Sequence, residues 1–432
     1  MGTGPEIIIL LFLLLFLLLI GMRVAFALGI AGLYGLVFML PGSAHHMIAN
    51  LTWSAIDKFP LTPVPLFILM GELLVYGKMN ESLYGTLSEW LGNVRGGLCH
   101  ATTVSCAIFA AMSGSSLATS ATLGTIAGPE MIKRGYSRTL TYGTIASGGT
   151  LGILIPPSIT MIIYGNLAGV SIGHCFIAGI VPGIICAGMF IVLVDIWGRI
   201  DKSSMPAPEP GLHSIRQKLK RLVRLLPAGL LIFIVLGGIY LGVTTPTEAG
   251  AIGAFGAFVL CLIQRDLTWK LLWKALLSTV RTTSFIMVII ACASIVSFVV
   301  QFVRLPELLT DYVLGMNVSR YLVISIFYLV YILLGMLVDP VSMMVMTVPT
   351  MLPTVIELGF DPVWFSVVIT LACEIGLITP PVGLNLYILQ GISGQSLTDI
   401  AKGSAPFVFT LILGLVLFTA FPSLSLYLVN LM

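Results

Sequence analysis

Charge is what this sequence has least of. Lys and Arg number 21 and Asp and Glu 18 among 432 residues, so 9% of the chain is charged while 58% is hydrophobic. Mean hydropathy is +1.07. A soluble protein of this length needs a charged surface that so few ionisable residues cannot supply. The fold class expected is therefore an all-α polytopic membrane protein embedded in a lipid bilayer. The net charge of +3 identifies no partner by itself, and no nucleic-acid partner is expected. Seven cysteines lie scattered with no C-x-x-C pair or His-rich spacing, so neither a disulfide framework nor a zinc site is indicated. No cleaved secretory signal is expected at the N-terminus: Glu6 precedes the first apolar core, and Arg23 stands between that core and the Ala25-Phe26-Ala27 stretch. This is the reverse of a signal's charge layout, so the segment reads as an uncleaved span.

What the chain does have is a repeated helix-breaking device. Pro156-Pro157 and Pro380-Pro381 sit inside long apolar segments, each pair four residues past a glycine, Gly152 and Gly376. Pro129 and Pro353, Gly135 and Gly359, Gly152 and Gly376, and Pro157 and Pro381 are all 224 positions apart. Such doubling of one device points to a transporter built from two repeats. The first repeat is expected over 1–196, with scaffold spans in 1–96 and a hairpin plus broken helix in 97–170. A cytoplasmic linker follows at 197–221, and the second repeat at 222–432 has scaffold spans in 222–303, a hairpin plus broken helix in 320–392 and a final span at 404–430.

Flanking charges set the expected orientation. The linker carries Arg199, Lys202, Arg216, Lys218, Lys220 and Arg221 against Asp201 and Glu209, which places it inside by the positive-inside bias. The stretch 265–281, read as a loop with Arg265, Lys270, Lys274 and Arg281, falls on the same side. Segments 97–134 and 320–357 are apolar but broken at Ser113-Gly114-Ser115-Ser116 and at Asp339-Pro340. Each arm would reach only about 27 Å as helix, marginal for a crossing. Basic residues flank both ends of the first segment, whereas Glu357 and Asp361 close the second. They read as re-entrant hairpins entering from opposite faces, as an inverted repeat requires.

The breaks put polar atoms at membrane depth. A proline in a helix removes the N–H that would bond the carbonyl four residues back. Pro156 and Pro157 thus release the carbonyls of Gly152 and Ile153, while Pro380 and Pro381 release those of Gly376 and Leu377. In hydrocarbon such carbonyls need protein, water or a cation, and the C-terminal end of a half-helix is its negative pole. The second half-helix is expected to restart at the prolines. At the hairpin tips Asp339 reads as an N-cap with Pro340 at the first helical position, and Ser115 or Ser116 caps the other returning arm. The returning arms would offer N–H groups to an anion. Hydroxyls of Ser113, Ser115, Ser116, Thr119 and Thr379 would offer oxygens to a hard ion such as Na⁺. Glu374 reads as an ion ligand, a proton carrier or the partner of a buried donor. Asn385 either orients substrate or bonds a neighbouring helix, and His100 and His174 read as incidental polar residues.

At these motifs the sequence resembles the large membrane subunit of tripartite ATP-independent periplasmic (TRAP) transporters, the dicarboxylate and sialic-acid type. The blocks are FPLTPVPLFILMGELL (59–74), SGSSLATSATLGTIAGPEMIKRGY (113–136), GGTLGILIPPSITMIIYG (148–165) and EIGLITPPVGLNLYIL (374–389), with the Asp339-Pro340 tip. The resemblance implies an elevator-type fold in a bacterial or archaeal inner or cell membrane, with Na⁺ entry driving uptake of a small carboxylate such as a C4-dicarboxylate or sialic acid. It implies two partners, a small four-helix membrane subunit on a separate polypeptide and a periplasmic solute-binding protein. By motif position it implies one Na⁺ site from Ser113, Gly114 and Ser115 with Gly152, Ile153, Ile155, Pro156 and Pro157. A second would use Asp339 with Gly376, Leu377, Thr379, Pro380, Pro381 and Gly383. Substrate would bind between the tips, at Ser115, Ser116, Ser158, Asp339, Pro340 and Asn385. The resemblance does not favour an enzyme. The alternatives are a stand-alone Na⁺- or H⁺-coupled dicarboxylate carrier without accessory subunits, and a membrane hydrolase built on Ser115 or Ser116, for which no motif supplies a base.

Overall fold

The computed structural model describes residues 4–40, 42, 44–207, 223–316 and 318–432, and among them every regular element is helical. The first half runs α1 (Gly4–Leu19), α2 (Val24–Phe38), α3 (Ile48–Ile56), α4 (Pro63–Tyr76), α5 (Met79–Leu91), α6 (Gly97–Ser113), α7 (Ser116–Lys133), α8 (Arg138–Leu154), α9 (Ile159–Ala168) and α10 (Ile172–Ile200). The second half runs α11 (Leu226–Tyr240), α12 (Pro246–Ile263), α13 (Trp269–Phe302), α14 (Leu305–Gly315), α15 (Arg320–Gly335), α16 (Pro340–Glu357), α17 (Pro362–Leu377), α18 (Leu384–Ser393) and α19 (Leu397–Ala420). The order is the same twice over, except that α3 and α4 stand where the second half has the single helix α13.

The outer helices turn apolar faces outward: Phe12 and Phe16 on α1, Leu230 and Phe233 on α11, and Phe409 and Val416 on α19 are all exposed. Among the described residues six helical stretches are long and apolar enough to cross a membrane: 59–76, 138–168, 172–200, 246–263, 269–302 and 397–420. Outward-facing hydrocarbon on helices whose backbone bonds close internally is what a bilayer demands. The chain is a multi-pass membrane protein.

Small residues set how closely the helices approach. On α2, Gly32 lies against Ile295 and Gly35 against Val299 of α13, while on α12, Gly250 lies against Leu66 and Gly253 against Met70 of α4. The two glycine series thus serve matching contacts, each docking one half's second helix on the other half's scaffold. At the centre lie α8 and α17. Every residue from Leu140 to Leu154 and from Val363 to Leu377 is buried, the signature of a helix enclosed on all sides.

Several boundaries differ from the sequence reading. The stretch 265–281 is helix from Trp269 onward, because the Thr268 hydroxyl accepts from the Leu271 N–H and starts α13 there; Lys270, Lys274 and Arg281 ride its first turns. The final span starts at Leu397 rather than 404, capped by Ser396. Helix α10 runs to Ile200, four residues into the expected linker. Residues 201–207 then fold back, with Ser204 O accepting from Ser137 N. The linker's Glu209, Arg216, Lys218, Lys220 and Arg221 lie outside the described residues. The half-helices do not restart at the prolines. Helix α8 ends at Leu154 and α9 begins at Ile159 under a Ser158 cap, while α17 ends at Leu377 and α18 begins at Leu384 after Gly383. Each proline pair therefore lies in the break itself, with a cis bond between its members. A cap supplied by Ser158 satisfies a first-turn N–H that proline at that position would leave to chance.

Candidate functional site

The first break and the first hairpin tip meet. Helix α6 stops because Gly114 takes φ +60, a left-handed conformation that glycine adopts without strain. A side chain there would also strike the Pro157 carbonyl oxygen at 2.5 Å. Ser115 then caps α7 by accepting from Ala118 N at 3.3 Å. Behind the tip, Gly152 leaves no room for a Cβ, which would stand 2.7 Å from the Ser115 carbonyl. Across the gap, Ile159 N points to Gly114 O at 3.5 Å. Ser113, Gly114, Ser115, Gly152 and Pro157 are thus brought together by backbone approach.

Oxygens crowd this junction. Ser113 Oγ lies 3.2 Å from Thr119 Oγ1, and Thr119 Oγ1 donates to Ser115 O at 2.7 Å. The Ile155 N–H bonds Leu151 O at 3.0 Å. Since Pro156 and Pro157 have no N–H, Gly152 O and Ile153 O lose their partners four residues on. Hydroxyl and carbonyl oxygens without a carboxylate form a donor set suited to a hard monovalent cation. Among the described residues no group of three His, Cys, Asp or Glu comes together, so a transition-metal site is not offered.

The second break closes differently. Thr379 N donates to Gly376 O at 3.1 Å, and Thr379 Oγ1 donates to Ile375 O at 2.5 Å. The Gly376 carbonyl that the prolines were expected to release is therefore bonded three residues on instead of four, and only Leu377 O of that pair is left without its helical partner by the prolines. Gly383, at φ +60, donates its N–H to Met336 O at 3.0 Å and ties this break to the second hairpin. Asp339 caps α16: its Oδ1 accepts from Ser342 N at 3.1 Å and its Oδ2 from Ser342 Oγ at 2.5 Å. Pro340 fills the first helical position. Pro156 and Pro157 are buried, whereas Pro380 and Pro381 are exposed. At the second break the Asp339 oxygens and Gly376 O each accept a hydrogen bond and one carbonyl, Leu377 O, is freed by the prolines; at the first break two are freed, Gly152 O and Ile153 O.

Asn385 joins the halves. Its Nδ2 donates to Ser116 Oγ at 2.8 Å and approaches Ala146 O at 3.4 Å, while Oδ1 has no partner among the described residues. Both Asn385 and Ser116 are buried, and so is Ser158. Glu374 is fully buried on α17, and neither carboxyl oxygen has a hydrogen-bond partner among the described residues. His100 Nε2 pairs with Asp195 Oδ1 at 3.0 Å, at the opposite end of α6 from the tip. At 1.5 Å per residue that is about 20 Å from Ser113, too far to act as base for Ser115. The backbone atoms Met336 O and Ala146 O escaped the sequence reading because a carbonyl carries no residue signature.

A family model described as "Tripartite ATP-independent periplasmic transporter, DctM component" matches residues 11–424. The chain is 35% identical over 405 residues to the C4-dicarboxylate TRAP transporter large permease protein DctM of Pseudomonas aeruginosa, covering 94% of each. It is 31% identical over 406 residues to the 2,3-diketo-L-gulonate TRAP transporter large permease protein YiaN of Escherichia coli, again 94% of each. Among solved structures, the YdaH transporter of Alcanivorax borkumensis matches with a TM-score of 0.64 at 14% identity, over 98% of this chain and 100% of that one. At that identity the likeness speaks to the fold alone.

Proposed function

Because the chain belongs to the TRAP transporter DctM family, as a large permease subunit and not an enzyme, we propose that it imports a small organic acid anion in symport with Na⁺ by an elevator movement. The observation that carries this reading is the seating of each hairpin on a broken helix, Gly114 against Pro157 and Gly383 against Met336. Paired breaks enclosed by the same fold are the device by which secondary transporters hold ions and substrate at mid-membrane.

In this proposal one Na⁺ is held by Ser113, Gly114, Ser115, Gly152, Ile153, Ile155, Pro156 and Pro157. A second is held by Asp339, Gly376, Leu377, Thr379, Pro380, Pro381 and Gly383. Substrate lies between the tips, with Ser115, Ser116, Ser158, Asp339, Pro340 and Asn385 around it. The N–H groups at the starts of α7 and α16 attract its carboxylate, and bound Na⁺ offsets the negative charge. The two halves form an inverted repeat whose hairpins enter from opposite faces of a bacterial or archaeal inner membrane. A small four-helix membrane subunit and a periplasmic solute-binding protein complete the system, and the binding protein selects the anion. Relatives whose names specify C4-dicarboxylates and 2,3-diketo-L-gulonate support an organic acid as the cargo class.

The test is uptake into proteoliposomes holding this chain and the small subunit, with the cognate loaded binding protein outside. An inward Na⁺ gradient should drive accumulation. Accumulation that persists with Na⁺ replaced by K⁺, or that requires ATP, would sink the proposal. Full activity without either partner would favour the stand-alone carrier.

A further inference from the structure

A second polar site lies away from the tips. An open cavity of about 420 Å³ lies between α3, α9, α13 and α16, with Lys58 exposed at it. Its polar lining residues are Ser54, Lys58, Asn166, Ser294, Ser297 and Gln301, and α16 contributes Pro349 and apolar side chains. Lys58 is the cavity's one cation, no carboxylate lines it among the described residues, and Lys58 makes no ion pair among them. The Ser54 and Ser294 hydroxyls donate to backbone carbonyls, which leaves the Lys58 ammonium with the Asn166 and Gln301 amides and the Ser297 hydroxyl to meet an organic anion beside apolar side chains. The volume suits a small one.

The position joins this cavity to the proposed transport site. Helix α9 leads from Asn166 back to Ser158 at the first break, and α16 leads from Pro349 back to Pro340 at the second tip. At 1.5 Å per residue these paths are about 12 and 14 Å. The remaining walls, α3 and α13, belong to the expected scaffold. An anion resting here would touch both helices that lead to the site and the frame they move against.

We infer that this cavity is an anion-binding vestibule in which Lys58 holds a substrate carboxylate before it reaches the hairpin tips. The inference rests on the transport reading above. The same chemistry would also receive an anionic lipid headgroup, and the experiment separates the two.

A single reporter, Ser54→Cys, is placed in the full chain reconstituted in phosphatidylcholine vesicles. Six native cysteines are buried and Cys292 is half-buried, so the parent chain supplies the blank. Modification rates are measured with an anionic and a cationic methanethiosulfonate of similar size. Neutralising one nearby charge with Lys58→Gln should lower the anionic-to-cationic rate ratio by about fivefold or more, and Lys58→Arg should keep it. Succinate should slow modification in the parent background and in Lys58→Arg but not in Lys58→Gln. A ratio indifferent to Lys58→Gln overturns the inference. So does protection by added phosphatidylglycerol where succinate gives none, which would assign the site to lipid. Uptake measured in parallel keeps the two readings apart. Intact uptake with no charge preference removes the vestibule alone. Absent uptake with the preference and succinate protection retained removes the transport reading and leaves the site.

Discussion

At the scale of single residues, Asn385 and Asp339 do different work. Asn385 gives Ser116 its donor inside a buried contact between the halves. Asn385→Leu should leave that hydroxyl unpaired and cost about 1–3 kcal/mol, read as a lower unfolding temperature of the detergent-solubilised protein. Substrate uptake should fall further than that loss explains if Asn385 also orients the anion. Asp339 has both oxygens engaged by Ser342. Asn caps nearly as well as Asp, so Asp339→Asn should change stability by no more than about 0.5 kcal/mol. A well-folded Asp339→Asn protein with a weakened Na⁺ response would assign a role to the charge, and an unchanged response would leave Asp339 as a cap. The cap itself was readable from the Asp-Pro pair. The reach of Asn385 to Ser116 was not, since the two stand 269 positions apart.

At the scale of elements, the matched proline pairs do not give matched breaks. After α8, the Ile155 N–H bonds Leu151 O, so Gly152 O keeps no helical partner. After α17, the Thr379 N–H turns to Gly376 O instead. A donor restored at position 156 should therefore matter more than one restored at 380. Pro156→Ala should raise the Na⁺ concentration for half-maximal uptake at least about threefold, whereas Pro380→Ala should shift it little. Equal shifts in the two Na⁺ titrations would argue against a role for Gly152 O that its bonded counterpart Gly376 O lacks. Spacing revealed that both breaks exist, because two adjacent prolines remove two successive backbone N–H donors and their rings crowd the preceding turn. It could not reveal which carbonyl finds a substitute donor, since that depends on the dihedral angles of the intervening residues.

At the scale of the whole molecule, the glycine contacts supply a test of which parts move. A Cβ built on Gly29 stands 3.9 Å from Cys292 Cβ, and one built on Gly71 stands 3.6 Å from Ser113 Cβ. Both are within disulfide reach. Gly29→Cys, oxidised against the native Cys292, joins α2 to α13 within the expected scaffold and should leave uptake intact. Gly71→Cys with Ser113→Cys joins scaffold helix α4 to the first hairpin and should arrest uptake until a reductant is added. The Ser113→Cys single variant controls for loss of the hydroxyl. Uptake that survives the second cross-link would contradict an elevator.

The amino-acid sequence by itself determined the membrane setting, the doubled architecture, the two breaks and the two hairpin tips. Each follows from composition or from local chemistry: too little charge for an aqueous surface, proline lacking an N–H, and Ser115 and Asp339 capping their own helices. The tertiary structure decided which tip sits on which break and that the glycine series serve reciprocal contacts. It also decided that the second break satisfies one of its own carbonyls and that Lys58 faces a cavity shared by four helices. Those outcomes depend on how distant segments pack and on which backbone atoms they present to one another. Packing across 200 or more positions is set by the shapes of all the intervening helices together, so no local pattern could carry it.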